Sequence, residues 1–358
     1  MIEIDGSLGE GGGQVLRTSL SLSILTGQPL IITRIRAGRA KPGLQPQHLA
    51  AARAAAQISR AQIDGDYVNS QTLTFEPSGI YAGAYRCDIG TAGAASLVLQ
   101  TIWLPLALAG APSEVTVTGG THVPWSPCYH YLDWQWLPFL RRIGLAGEIK
   151  LDLAGFYPQG GGIVQAKIAP AAAIAPLRLT ERGALKGIRG LSLVANLDRS
   201  IAERQRDRAL CRLADRHNRI EIEAADIWAN TKGTALILLA EFKHSSACYS
   251  ALGALGKRAE QVADEACLWL EKFLAGTGAL DEYLADQLLL PLAFADGVSE
   301  YRTAKVTEHL ETNAEIIRAF GVAEIAIIGE SGNTGAIRVA PARVDTPTRR
   351  YTRESTTF

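Results

Sequence analysis

The sequence predicts a layered α/β protein: three repeated βαβαββ units, with a small α/β domain inserted into the third. Three observations lead there. Helical and strand periods alternate along the chain, as sheet-and-helix layers require. The alternation restarts twice, and a separate block of strands and helices interrupts its last copy. At 358 residues, 47% apolar and 20% charged, the chain has the ordinary globular mixture and length for two or more units.

In the first copy, residues 2–4 read as a short strand, 13–26 as a helix, 30–35 as a strand and 47–59 as an Ala-rich helix. Strands near 61–63 and 72–75 close it. The second copy runs through a strand at 85–89, a helix at 92–109 and an alternating strand at 114–117. A helix at 129–143, with Trp134 and Trp136 in its apolar stripe, and strands at 148–153 and 162–168 complete it. The third copy begins with a strand at 177–182, but its matching helix comes only at 280–293. Between them lie a strand at 191–195, a charged helix at 201–218, strands at 220–223 and 235–242, and a long helix at 255–274. That order is a β-α-β-β-α insert. The copy resumes with a strand at 302–306, a helix at 309–320 and strands at 324–328 and 336–339.

The boundaries that follow are 1–183 for the first part of the large domain, 184–276 for the insert, 277–340 for the completion and 341–358 for a tail. Arg349, Arg350 and Arg353 stand in that tail among Thr and Ser without apolar period, so it is expected to be basic and mobile.

Lys and Arg total 36, against 36 Asp and Glu, which disfavours coating nucleic acid through a global positive field. Any such contact must be local. The five cysteines form no C-x-x-C pair, so reduced thiols of a cytoplasmic protein are expected. The start, MIEIDGSLGEGGG, lacks a signal peptide's basic and apolar regions, and residues 94–109 are too short and too polar to cross a membrane.

Three segments carry chemistry. Gly9-Glu10-Gly11-Gly12-Gly13-Gln14 lies between a strand and a helix, where glycines turn the chain and N–H groups face an anion. No Gly-Lys-Ser/Thr follows, so it is not a P-loop. A carboxylate would repel phosphate unless a divalent cation bridged them, which makes Glu10 better suited to holding metal. The alternative is a plain structural turn.

Arg34, Arg36, Arg39 and Lys41 concentrate four cations in one loop, spacing that suits clamping a terminal phosphate through guanidinium forks. The alternative is a solvated basic loop. His309 opens a helix after a strand, where a neutral imidazole with a free ring nitrogen can attack phosphorus. Its alternative is a polar helix start, and His48 opens the corresponding helix of the first copy. Residue patterns leave that choice open. Pro127 and Tyr283 could sandwich a flat base, though each residue type commonly serves packing.

Together, GEGGGQVLRTSLSLS, IRAGRAKPGLQPQHLAA, GTAGAASLVLQT, GGTHVPWSP, GFYPQGGG, DEYLADQLLLP and EHLETN, in this order, resemble the RNA 3′-terminal phosphate cyclase family from residue 1 to about residue 339. The resemblance implies repeated units similar to the C-terminal domain of translation initiation factor 3. It also implies an ATP-dependent ligase that converts an RNA 3′-phosphate into a 2′,3′-cyclic phosphate through a covalent histidyl-AMP and an RNA-adenylate. Carried over by motif, the nucleophile falls on His309 and the metal-binding acid, for Mg or Mn, on Glu10. Arg36, Arg39 and Gln47 fall at the substrate phosphate, with Arg17 beside them in the nucleotide site. Pro127 and Tyr283 fall on adenine, Asp286 and Gln287 near the nucleotide, and Gln100 beside nucleotide and metal. RNA ends are the expected partner; self-association as a homodimer stays open. Two other readings are an enolpyruvyl transferase of related fold, which needs no histidine here, and a non-catalytic RNA-binding or ribosome-assembly relative, expected to lack His309.

Overall fold

The computed structural model describes residues 1–216 and 218–342. The tail expected to be mobile lies, from residue 343 onward, outside the described residues.

The first segment runs β1 (Ile2–Asp5), α1 (Gly13–Thr26), β2 (Leu30–Thr33), α2 (Pro46–Ser59), β3 (Gln62–Asp64) and β4 (Leu73–Glu76). Next come β5 (Ala84–Asp88), α3 (Ala95–Ala107), β6 (Ser113–Gly119), α4 (Tyr129–Tyr131), a π turn at Leu132–Trp136, α5 (Leu137–Arg142), β7 (Gly147–Leu153) and β8 (Gly162–Ile168). After β9 (Arg178–Leu179) follow β10 (Leu185–Ala195), α6 (Ser200–Leu213), β11 (Ile220–Asp226), β12 (Gly233–Phe242), β13 (Ser246–Leu252) and α7 (Ala259–Ala275). The chain then passes through α8 (Glu282–Gln287), α9 (Leu289–Leu292), β14 (Ser299–Thr303), α10 (Glu308–Ala319), β15 (Ala323–Ile328) and β16 (Gly335–Pro341).

These strands make four-stranded mixed sheets ordered β1-β2-β4-β3, β5-β6-β8-β7, β9-β14-β16-β15 and β11-β10-β12-β13. In the first three, the earliest strand pairs in parallel with the second, while the remaining ladders are antiparallel.

Four expectations need correction. The segment 184–276 carries a further strand, β13, so its order is β-α-β-β-β-α. Ser246-Ala-Cys-Tyr-Ser-Ala-Leu252 is weakly apolar and was hidden by its Ser and Ala content. The helix expected at 129–143 is divided by the π turn, and the one at 280–293 breaks into α8 and α9. The strand expected at 177–182 is reduced to two residues.

The run Thr234-Ala-Leu-Ile-Leu-Leu-Ala240 is apolar without alternation because β12 has a core on each face, as a doubly covered strand does. Leu236, Leu238 and Ala240 join a cluster with Val262, Ala266 and Leu270 of α7. Ala235, Ile237 and Leu239 face the main core. Trp136 packs edge-on against buried Trp103 at 5.1 Å, whereas Trp134 lies under the Arg189 guanidinium, 4.2 Å from its ring centre.

Helices α1 and α3 are buried almost all round, and Ser21 donates to the carbonyl of Thr101 at 2.7 Å. No helix among the described residues is long and apolar enough to cross a membrane. All five cysteines are free thiols.

Candidate active site

Helix α10 brings the C-terminal part of the chain against the glycine loop that precedes α1. Gly9 has φ +54°, and a Cβ there would sit 2.0 Å from the hydroxyl of Thr312, so no side chain fits while the helix stays docked. The Glu10 N–H donates to that hydroxyl at 3.3 Å. Thr307 caps α10, accepting from the Leu310 N–H at 3.1 Å, and starts the helix one residue before Glu308. His309 Nδ1 consequently stands 3.5 Å from Glu10 Oε1. The imidazole side chain is 55% exposed and the carboxylate 8%, so the ring is open to an incoming ligand while the acid beneath it is enclosed. Oε1 is buried with no hydrogen-bond partner. Arg39 binds the other carboxylate oxygen and donates to the Glu10 carbonyl at 2.6 Å.

Behind the ring runs a buried polar chain. Arg17 donates to Gln14 Oε1 at 2.8 Å, and Gln14 reaches Thr18 at 3.3 Å. Thr18 donates to Asn313, whose amide donates to the Asp286 carboxylate and, at 3.3 Å, to its carbonyl. Burial lowers the Arg17 pKa to about 10, opposed by Asp286 and Glu10. Burial also pushes Asp286 above the usual carboxylate range, against the pull of His309, Asn313 and Arg17. Asn313 lies one helical turn beyond His309, on the same face of α10.

The basic loop is built unevenly. Arg34 and Arg36 have φ of 53° and 52°, a conformation costly for side chains with a Cβ and concentrated at functional sites. Arg34 pairs with Asp5 at 2.9 Å on the surface. Arg36 braces its own loop, donating to the carbonyls of Lys41 at 2.5 Å and Gly43 at 3.1 Å; burial, then repulsion from Arg39, lowers its pKa. Gln47 Oε1 accepts from the Ala94 N–H at 3.1 Å, tying α2 to the loop before α3. Gln100 donates to Gln287 at 2.8 Å.

His48 has a different place. Its Nδ1 accepts from the Gln45 N–H at 3.1 Å in a capping box at the start of α2. Burial, then Arg17 and Arg36, pushes its pKa down to about 3, so it is a neutral, enclosed scaffold residue.

On the far side, Tyr283 stands half-exposed in α8, flanked edge-on by Tyr131 at 6.4 Å and Tyr249 at 6.3 Å. Pro127 lies four residues before Tyr131, just ahead of α4. Asp281 caps α8, accepting from the N–H groups of Tyr283 and Leu284 at 3.1 and 2.9 Å, and from Tyr131 and Gln135 at 2.8 Å each.

The structure thus gathers Glu10, Arg17, Arg39, Asp286 and His309 around one spot. Arg36 stands within electrostatic reach of Glu10 and Arg39, Gln47 holds the loop before α3, and Gln100 pairs with Gln287. Sequence reasoning did not single out Asn313, Thr312, Thr18, Gln14 or Asp281. Each lies within a quoted motif; Gln14 stands at helical spacing from Arg17, Thr18 from Gln14, and Thr312 and Asn313 from His309, and that spacing was the available signal.

A family model described as RNA 3′-terminal phosphate cyclase matches residues 8–327. Among proteins carrying that name, the one from Nostoc punctiforme is 45% identical over 334 residues, covering 91% of this chain and 96% of its own. That from Methylococcus capsulatus is 43% identical over 347 residues, covering 95% and 96%. A solved enolpyruvyl transferase, NikO from Streptomyces tendae, aligns with 48% of this chain and 33% of its own at 16% identity. The TM-score of that alignment is 0.27. The match extends over both elements that meet at His309 and Glu10, and the chain belongs to the RNA 3′-terminal phosphate cyclase family.

Proposed function

We propose that this protein converts RNA 3′-terminal phosphates to 2′,3′-cyclic phosphates at the expense of ATP, with His309 as its nucleophile. The observation that carries the reading is the approach of an open imidazole to an enclosed carboxylate, His309 Nδ1 to Glu10 Oε1 at 3.5 Å. First, a His309 ring nitrogen attacks the α-phosphorus of ATP; a P–N bond forms and pyrophosphate leaves. Next, an oxygen of the RNA 3′-phosphate takes the adenylyl group, which frees the histidine. The neighbouring 2′-hydroxyl then attacks the RNA phosphorus, loses its proton and expels AMP. Positioning and charge neutralisation dominate such transfers.

In this reading Arg17 offsets charge at the α-phosphate, while Arg36, Arg39 and Gln47 receive the RNA phosphate. Asp286 and Gln287 hold the nucleotide, with Gln100 bracing Gln287. Pro127 and Tyr283 cover adenine. Glu10 Oε1, buried without a donor, suits a divalent cation, Mg or Mn, which would offset phosphate charge. Among the described residues no cluster of three or more His, Cys, Asp or Glu is placed to hold a metal. Most other ligands would therefore be phosphate oxygens and water, the usual arrangement for magnesium.

We read residues 1–183 and 277–340 as one domain of three βαβαββ units, like the C-terminal domain of translation initiation factor 3, with 184–276 inserted. The shared order of three sheets and the separate apolar cluster of the insert support this. A cytoplasmic setting fits the free thiols. As the test, a 3′-phosphorylated oligoribonucleotide incubated with the protein, ATP and Mg or Mn should become resistant to phosphatase. Full phosphatase sensitivity after incubation contradicts the reading.

A further inference from the structure

Three aromatic rings project from one junction of the chain, and the polar site does not use them. Trp125 is 96% exposed, Trp228 84% and Tyr157 65%. Exposed apolar rings of this size carry a hydration cost, and their concentration marks contact surfaces. Trp125 also has φ +59°, an outlier for a bulky side chain.

The backbone brings them together. His122 bridges to Phe156 in parallel, and Ala154 to Ala229. The Ala154 N–H donates to the Trp228 carbonyl at 2.7 Å, the Phe156 N–H donates to Thr231 at 3.2 Å, and the His122 and Phe156 rings stack at 5.1 Å. Trp125 follows His122 by three residues, Tyr157 adjoins Phe156, and Trp228 adjoins Ala229. Exposed Lys232 adds a cation on the same loop as Trp228.

The junction is continuous with the phosphate site. Gln47 holds the Ala94 N–H, Ala94 bridges to Gly120, and the Gly120 N–H donates to Gly93 at 2.7 Å. A Cβ on Gly160 would lie 2.6 Å from the Cα of Ala92, so the loop bearing Tyr157 closes against the loop held by Gln47.

Resting on the reading of the site as an RNA 3′-phosphate cyclase, we infer that Trp125, Tyr157 and Trp228 form a stacking platform for the unpaired nucleotides that precede the 3′-terminal phosphate. Bases present π-faces whatever their identity, so such a platform selects single-stranded RNA by length and not by sequence.

The test compares a single-stranded, 3′-phosphorylated RNA of about ten nucleotides, enough to cover such a site, with a 3′-phosphorylated dinucleotide. KM for cyclisation and quenching of tryptophan fluorescence are measured with the full chain. The longer RNA should quench the wild type and show the lower KM. In Trp125→Ala/Trp228→Ala its KM should rise by about tenfold, the worth of one or two stacked bases. The dinucleotide KM and RNA-free labelling by ATP should stay unchanged; the labelling reports an intact fold and an undisturbed Pro127. A longer-RNA KM that the double variant leaves unaltered overturns the platform, as does absence of quenching, which would point to a protein partner instead. Quenching without any cyclisation by the wild type would sink the cyclase reading and leave the platform standing.

Discussion

Arg39 and the space beside Oε1 compete for Glu10. The guanidinium holds one carboxylate oxygen and the backbone carbonyl, while the other oxygen is buried without a donor. An arriving RNA phosphate would draw Arg39 away, and a cation would take over the carboxylate. Glu10→Ala should therefore lower self-adenylylation by at least tenfold, about 1.4 kcal/mol of barrier; labelling at the wild-type rate would remove Glu10 from the chemistry. Arg36→Ala/Arg39→Ala should weaken cyclisation while circular dichroism stays unchanged. Because Arg36 also braces its loop, a loss confined to thermal stability would make the loop structural. His48→Ala tests the second histidine: it should lower thermal stability through the lost cap and still accept AMP, and failure to label in a folded protein would contradict its assignment as scaffold.

Helix α8 carries Tyr283, Asp286 and Gln287 on little more than one turn, so its orientation depends on its cap. Asp281 accepts four hydrogen bonds, yet burial and the neighbouring Glu282 raise its pKa from 3.8 to about 7. Between those values the folded protein retains a proton that the unfolded chain has lost, so stability falls as pH rises from about 4 to about 7. Asp281→Asn keeps an acceptor for the helix N–H groups and removes the titration. Its unfolding free energy should vary less with pH over that window, as measured by urea denaturation; a slope equal to that of the wild type would contradict the account. The cap was poorly legible in the sequence because its partners, Tyr131 and Gln135, lie 150 and 146 residues away. Strong apolar periods located nearly every other element. Strand β13 escaped because Ser and Ala gave it no contrast, and the long helix expected at 280–293 broke where α8 gives way to α9.

Across the whole molecule, the active site joins the first helix to the last, which is why the sequence supplied its residue types without their arrangement. Seven ordered motifs pointed to His309, Glu10 and the arginines. They gave no hint that Arg36 would turn back on its own loop or that Asn313 would link Thr18 to Asp286. The sheet of β10 to β13 meets the start of α8: Tyr249 donates to Glu282 at 2.8 Å, and Gln135 bridges Asp281 to the Ser246 carbonyl, 2.7 Å away. The proposed reaction turns on covalent chemistry at His309. Protein incubated with α-labelled ATP and metal, then denatured, should retain AMP on one peptide containing His309. The adduct should survive alkali and be released in mild acid, because protonation makes the adducted imidazole a good leaving group. Folded His309→Ala should carry no label. Label persisting in that variant, or mapped to another residue of the wild type, would contradict the account.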